Sequence, residues 1–272
     1  MIIAPYTKVV MANYKGLGCR LRNWAACMRI SEYFNVPLYL LWYKDSRCFA
    51  NWNELFSNKF RFFNNESEVN PFEKCTLSIF LGYPGDIDPG LTSKYFEQIP
   101  GTSKRFWYNN VLNVSFNNMY DATPEPIKSR YIRYFSYLRP HRQVKKRIAP
   151  FEHLLGDDVI GVHFRQNDAL KKRPLTYEDL IGELDKYPNN RFFIATDKHN
   201  VMSVLKDRYP SRVLYQSDNT YRRNNTRDIQ CALADMLLLS KCPFIIGSRN
   251  SCFTEIAWWF SGGRAKIKVL PT

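Results

Sequence analysis

The side chains best suited to chemistry follow a short apolar run in the second half of the chain. Residues 159–162 form this run, and His163, Arg165 and Asp168 come soon after it. The guanidinium of Arg165 is a planar fork that fits a phosphate, and the carboxylate of Asp168 could accept a proton. A local ion pair between Arg165 and Asp168 is an equally good interpretation of this run taken alone.

Two later apolar runs also end in polar residues. One ends in Thr196 and Asp197, and the other ends in Ser248, with Ser251 at the predicted start of a helix. Ser251 could bind a phosphate through the helix N-terminus, although an ordinary helix cap is the commoner use. Asp235 lies in an otherwise apolar helix and needs a partner, which is either a neighbouring loop or the donor groups of a base or ribose.

A glycine turn near the N-terminus is a further candidate. Gly16 and Gly18 would allow backbone amides to approach a ligand at a helix N-terminus. The third glycine of a dinucleotide fingerprint is missing, so the turn alone is a weak motif. Arg20, Arg22 and Asn23 follow it and favour binding of an anion or a hydroxyl group. A tight turn with a solvated basic helix face is an equal alternative.

The elements that must position these residues alternate between strands and helices. A strand at 8–13, a helix at 20–34 and a strand at 36–42 form one βαβ unit, which predicts a parallel pair. From residue 159 to residue 270 strands and helices alternate, which predicts a doubly wound α/β sheet. Ligands bind at the carboxyl edge of such sheets, so the three polar strand ends should lie together.

The middle of the chain is less regular and suggests where the chain divides. A strand is predicted at 75–80, a helix at 124–137, and a basic helix from the break at 139–141 to about 155. We therefore predict an α/β protein with two Rossmann-like domains facing across a cleft. Their predicted boundaries are 1–140 for the N-terminal domain and 141–272 for the C-terminal domain.

Composition limits the kinds of partner. The chain has 272 residues, of which 45% are hydrophobic, so it is a folded protein. Its net charge of +14 favours phosphorylated small molecules or an anionic membrane surface. No zinc-finger, RRM or KH signature indicates nucleic acid. We expect a phosphate-bearing ligand, and a peripheral membrane contact is a second use for the excess charge.

The cysteines and histidines indicate neither a disulfide framework nor a metal. The seven cysteines form no C-x-x-C pair and are odd in number, which predicts buried, reduced thiols in a reducing compartment. No signal peptide and no run long enough to span a membrane is visible, so a cytoplasmic location is expected. The four histidines lack metal-ligand spacing, and no metal is expected.

Three segments of the second half resemble a known family. Residues 161–168, 193–197 and 235–251 are similar, in order and spacing, to the three motifs of the α1,6-/α1,2-/protein O-fucosyltransferase superfamily, above all to its α1,6 branch with the bacterial nodulation fucosyltransferase. Residues 16–22 are similar to the Gly-Leu-Gly-Asn-Arg opening of related enzymes. The resemblance implies a GT-B fold, a nucleotide-sugar donor, inversion at the anomeric carbon, and neither a required metal nor a cofactor.

The resemblance also implies roles, residue by residue. Arg165 would hold the β-phosphate and stabilise the leaving diphosphate, and Asp168 would lie near the sugar or acceptor as the general base, with Glu178 in reserve. The remaining donor-binding set is His163, Asp197, Asp235, Ser248, Ser251, Gly16 and Gly18. Arg20, Arg22, Asn23 and Glu178 form an acceptor-side or secondary set. Two positions depart from the family: Gln166 stands where α1,6 enzymes have a second arginine, and Cys19 stands where related enzymes have asparagine.

The expected function is that of an inverting glycosyltransferase. It would move a sugar, above all fucose from GDP-fucose, to a hydroxyl of an oligosaccharide or glycoconjugate. One alternative keeps the fold and mechanism with another donor such as UDP-xylose. The other, from a different class, is a non-catalytic glycan- or nucleotide-binding protein, which Gln166 favours.

Overall fold

The computed structural model describes residues 8–13, 15–63, 76–81, 125–165, 175–198, 200–220, 222–248 and 251–270. The predicted base Asp168 and its neighbour Gln166 lie outside these ranges. Within them, none of the helices combines the length and apolar character needed to cross a bilayer.

The N-terminal half of the chain builds a four-stranded parallel sheet. Its strand order is β3-β2-β1-β4, and each neighbouring pair is parallel, so the predicted βαβ unit is confirmed. The first helix begins three residues earlier than predicted, because Gly16 is extended (φ −65°, ψ 167°) and acts as its N-cap. The elements are β1 (Lys8–Asn13), α1 (Leu17–Phe34), β2 (Leu38–Leu41), α2 (Trp52–Leu55), β3 (Arg61–Phe62) and β4 (Thr76–Leu81).

The C-terminal half builds a second parallel sheet with five strands. Its order is β7-β6-β5-β8-β9, which confirms the predicted doubly wound arrangement. Two helices, α3 (Glu125–Tyr137) and α4 (Arg142–Glu152), precede it. The sheet and its helices are β5 (Val159–Phe164), α5 (Tyr177–Leu184), β6 (Arg191–Thr196), α6 (Asn200–Arg208), β7 (Val213–Leu214), α7 (Thr226–Leu239), β8 (Phe244–Gly247), α8 (Cys252–Phe260) and β9 (Lys266–Val269).

In both sheets the chain reverses its winding direction beside a central strand. The chain winds outward from β1 to β2 and β3 and then returns to place β4 on the other side, and β5 has the same relation to β6 and β8. Every residue of β5 is buried, as expected for a strand with helices on both faces. Crevices form at the carboxyl ends of strands where the winding reverses, so such a position is where a ligand is expected.

One apolar cluster joins elements from both halves. It includes residues of β1, α1, α3, α7 and α8. Aromatic rings form much of the contact: Trp24 of α1 lies 5.7 Å from Phe135 of α3, which stacks on Trp259 of α8 at 6.5 Å. Helix α1 therefore packs against α8. This contact brings the N-termini of the two helices together. The predicted boundary at residue 140 stays a prediction.

Candidate active site

A cleft with about 880 Å³ of empty space, partly open to solvent, is lined by residues from both halves of the chain. Of the predicted donor set it contains Gly16, Gly18, His163, Arg165, Asp197 and Asp235. Cys19 and Thr196, which the sequence also singled out, line it as well. The remaining lining residues were not singled out: Leu17, Arg47, Asn219, Arg222, Arg223, Asp228, Ile229, Ala232, Met236, Cys252 and Phe253. The three polar strand ends thus meet at one edge, as their sequence positions predict.

Two helix N-termini meet in this cleft. The first turn of α1 supplies Gly18, and the first residue of α8 is Cys252. A Cβ added to Gly18 would lie 3.1 Å from the carbonyl carbon of Cys252 and 3.2 Å from its Cβ. Only glycine therefore allows this approach without displacing the partner backbone. The N-terminal amides and the positive ends of both helix dipoles favour an anion in the cleft.

Ser248 fixes the end of β5, where Arg165 follows. Its Oγ accepts a hydrogen bond from the backbone N–H of Arg165 at 2.9 Å and donates one to the carbonyl of His163 at 3.0 Å. Ser248 is completely buried and does not line the cleft. Ser251 is likewise buried, and its side chain caps α8 by accepting from the Phe253 N–H at 3.3 Å. The structure thus places both serines behind the lining, and their donor-binding role stays a prediction.

His163 has a fixed ring orientation. Its Nδ1 lies 2.8 Å from Oγ1 of Thr254, and the ring stacks on Phe253 with centroids 4.5 Å apart. Gly247 makes room for this arrangement, because a Cβ there would overlap the side chain of Thr254. The strand end, the imidazole and the first turn of α8 are therefore one packed unit.

Replacing Gly247 by alanine should disturb that unit. The added methyl group must displace Thr254 and with it the partner of His163, at a cost of about 1–3 kcal/mol in the free energy of unfolding, as for other overpacked cores. Chemical denaturation measures the effect. Gly182→Ala is the matched control, since nothing lies within 4 Å of its added Cβ. Equal stability of the two variants would contradict the packing argument.

Asp235 is a buried carboxyl group that reaches the cleft from α7. Gln216 Nε2 donates to its Oδ1 at 2.5 Å, and Asn219 also hydrogen-bonds to it. Burial raises the pKa of Asp235 to about 7, against the effect of these hydrogen bonds. The hydrogen-bonding partner that Asp235 was predicted to need is therefore the loop before α7. The carboxyl group is also part of the cleft wall.

Asp235→Asn should change how stability depends on pH. Between about pH 4 and pH 7 this carboxyl is ionised in the unfolded chain but protonated in the folded one. The free energy of unfolding of the wild type should therefore fall as the pH rises through this range. The whole effect is on the order of 4 kcal/mol. Asparagine does not ionise but still offers Gln216 an acceptor. Urea unfolding of both proteins at pH 4 and pH 8 checks this; parallel pH profiles would exclude it.

Three arginines in the cleft were missed by sequence reasoning. Arg222 and Arg223 lie directly before α7, and Arg47 follows β2. The loop before α7 is held to Asp228, which accepts hydrogen bonds from Thr220, the Arg222 N–H and Asn225. The two-arginine run before a helix is a sequence signal, but only the fold shows that it faces the strand ends of the sheet.

The loop is also attached to the N-terminal half. The Phe49 N–H donates to the carbonyl of Arg223 at 3.1 Å, and Lys44 Nζ contacts both Glu54 and Thr226. These contacts bring the loop after β2, which carries Arg47, to the start of α7. The arginines of the cleft therefore come from three segments: the loop after β2, the end of β5 and the loop before α7. Tertiary hydrogen bonds join the first of these to the third.

The four predicted acceptor-side residues do not line the cleft. Arg20 is buried and donates to the carbonyls of Lys15 and Tyr43 and to Asp45, so it is not part of a solvated helix face. Asn23 is buried within α1, and Arg22 pairs with the buried Glu255 at 3.1 Å. Glu178 is exposed in the first turn of α5. Their predicted role has no support from this placement and stays a prediction.

Six of the seven cysteines lie in the described part of the chain. Four of the cysteines, Cys27, Cys48, Cys231 and Cys242, are buried, whereas Cys19 and Cys252 are partly exposed and line the cleft. Their reduced state stays a prediction. Among the described residues, no three His, Cys, Asp or Glu side chains are grouped as metal ligands.

Parallel sheets with matching reversals and a cleft lined by residues of both halves define an α/β protein of the GT-B-like kind. No protein-family model matches the chain, and no curated protein matches it by sequence. Solved structures match this chain over most of its length.

The matching structures include fucosyltransferases of low sequence identity. NodZ α-1,6-fucosyltransferase soaked with GDP-fucose is 16% identical, with 93% of this chain and 92% of that chain covered and a TM-score of 0.54; NodZ from Bradyrhizobium is also among the matches. FUT1 of Arabidopsis thaliana with GDP is 15% identical, with 98% and 71% covered and a TM-score of 0.56. POFUT1 with GDP-fucose is 12% identical, with 98% of both chains covered and a TM-score of 0.55. The chain therefore has the fold of these enzymes, and the expected fold class is confirmed.

Proposed function

We propose that this protein is an inverting glycosyltransferase that transfers fucose from GDP-fucose to a hydroxyl group of a glycan. The observation that carries the proposal is the cleft, in which Arg165 follows the central strand and two helix N-termini provide backbone amides. Three of the structural neighbours were solved with GDP or GDP-fucose, which supports the same donor here.

In the proposed reaction the protein stabilises charge on the leaving diphosphate. Arg165 and the helix amides bind the phosphates, while His163 and Asp235 contact the nucleoside. An acceptor hydroxyl attacks the anomeric carbon from the opposite side as a carboxylate removes its proton. Asp168 is the proposed base. The N-terminal domain, residues 1–140, would hold the acceptor, and residues 141–272 would hold the donor.

A panel of nucleotides tests the donor. GDP and GDP-fucose should raise the melting temperature, because a ligand that binds only the folded state stabilises it according to its concentration relative to Kd. At a ligand concentration of 100 times Kd, the free energy of unfolding should rise by about 2.7 kcal/mol. UDP and UDP-xylose serve as matched controls and should have no effect at the same concentration. Stabilisation by the uridine compounds alone would replace fucose with another donor.

Gln166 favours a second candidate function, a non-catalytic glycan- or nucleotide-binding protein, since the second arginine of the resembling enzymes is missing. The two functions differ in turnover. Release of GDP from GDP-fucose, with or without an oligosaccharide acceptor, would exclude the binding protein. GDP binding with no release of sugar under any acceptor would favour it.

A further inference from the structure

Two thiols from opposite ends of the chain touch in the wall of the cleft. Cys19, in the first turn of α1, and Cys252, the first residue of α8, have their Sγ atoms 3.1 Å apart. The approach of the two backbones at Gly18 brings them together. Both residues line the cleft and are partly exposed as residues, while their thiol groups are packed in its wall.

We propose that Cys19 and Cys252 form a redox-active dithiol, a modification site that a peroxide converts to a disulfide and that a bound nucleoside diphosphate protects. The protection rests on the proposed function, because it requires a nucleotide in the same cleft. The formation of the disulfide does not depend on it.

The surroundings of the pair activate one of its thiols. The hydrogen bond with Cys252 and the positive charges of Arg22 and Lys15 hold the pKa of Cys19 below its usual value, against burial and the nearby carboxylate of Glu255. The hydrogen bond with Cys19 and burial raise the pKa of Cys252, although Arg22 and Arg165 act in the opposite direction. The thiolate is the nucleophile in such chemistry, so the proposal takes Cys19, which lies beside Arg22 and Lys15, as the attacking sulfur and Cys252 as the resolving one.

The reaction takes hydrogen peroxide as its oxidant. The Cys19 thiolate attacks one peroxide oxygen, an S–O bond forms as the O–O bond breaks, and the hydroxide released takes up a proton to give water. Cys252 then attacks the sulfenic sulfur: the S–S bond forms, the S–O bond breaks, and the hydroxide leaves as a second water with the proton of Cys252. In sum, two thiols lose two electrons and one peroxide is reduced to two waters.

A nucleoside diphosphate would slow this reaction for two reasons. It covers the thiols, which lie at the helix N-termini where its phosphates bind. Its negative charge also raises the pKa of Cys19 and lowers the thiolate fraction at neutral pH. Together these effects should slow oxidation about ten-fold or more at saturating nucleotide.

The test treats the full chain with hydrogen peroxide at pH 7, with and without GDP. The thiol count in denaturant should fall from seven to five, and mass spectrometry should find the Cys19–Cys252 crosslinked peptide, which a reductant removes. Cys252→Ser should stop at a sulfenic acid on Cys19 that dimedone traps, and Cys19→Ser should not react. Cys27→Ala, which removes a buried thiol of the same helix, is the control and should still form the crosslink.

The outcomes separate this inference from the proposed function. A thiol count that stays at seven, or a disulfide between other cysteines, overturns the inference. So does oxidation at an unchanged rate in the presence of GDP, if thermal shift shows that GDP is bound. If the crosslink forms but GDP does not bind, the proposed donor is wrong and the redox site stands.

Discussion

Replacing Arg165 by alanine should lower kcat for sugar transfer by about 10²–10³-fold, as expected when a group that stabilises transition-state charge is removed. The side chain lies in the cleft, while its backbone N–H is held by Ser248, a contact that alanine retains. The melting temperature should therefore stay close to that of the wild type. Steady-state kinetics with GDP-fucose and an oligosaccharide acceptor measure the loss.

Two variants sharpen the Arg165 experiment. Arg165→Lys keeps the charge without the planar fork and should recover only a small part of the rate. Arg208→Ala removes an exposed arginine of α6, paired with Asp185, and should keep full activity. If Arg165→Ala retained most of the transferase activity, the role of this residue as the diphosphate ligand would be wrong.

Asp228→Ala should weaken both the fold and nucleotide binding. The carboxylate accepts several hydrogen bonds that hold the loop with Arg222 and Arg223, and it is buried. Losing hydrogen bonds to a buried charged acceptor costs about 1.5–3 kcal/mol in the free energy of unfolding. The Kd for GDP should rise about ten-fold or more, because binding must then order the loop.

The pH dependence gives the Asp228 experiment a second readout. Burial acts to raise the pKa of Asp228, but the hydrogen bonds from Thr220 and Asn225 outweigh it and hold the pKa below its usual value. The contribution of Asp228 is therefore present above about pH 4 and is lost as the pH falls below it, so the variant should lose less stability in acid. Asp207→Ala, an exposed aspartate of α6, is the control. Calorimetry that finds the same change for both variants would contradict the loop-anchoring role.

The order of most strands and helices could be predicted from the sequence, because each has its own periodicity. The short α2 and β3 were not predicted, since four and two residues are too few to show a period. The polar residues after β5, β6 and β8 could also be placed on one edge, since parallel strands end on the same side of a sheet. Helix starts were less accurate: α1 begins at Leu17 because Gly16 caps it, and no periodicity signals that cap.

What could not be predicted depends on contacts between distant segments. Arg20 was expected either to bind an anion or hydroxyl group or to lie on a solvated basic face, yet it is buried and donates to carbonyls and a carboxylate of residues 15, 43 and 45. Arg47 and Arg223 reach the cleft only because the loops after β2 and before α7 are hydrogen-bonded. Ser248 and Ser251 were identified by their positions at a strand end and a helix start, but a sequence does not show that both face inward.

The packing of α1 against α8 has a consequence for how the chain is made. A ribosome delivers α1 early, but Glu255, the partner of Arg22, is separated from it by 233 residues. Until α8 is synthesised, Arg22 lacks its carboxylate partner and the face of α1 that packs on α8 is uncovered, although Trp24 already has Trp52 and Phe135 to pack against. Protease resistance of nascent chains stalled at successive lengths should therefore increase once α8 has left the exit tunnel.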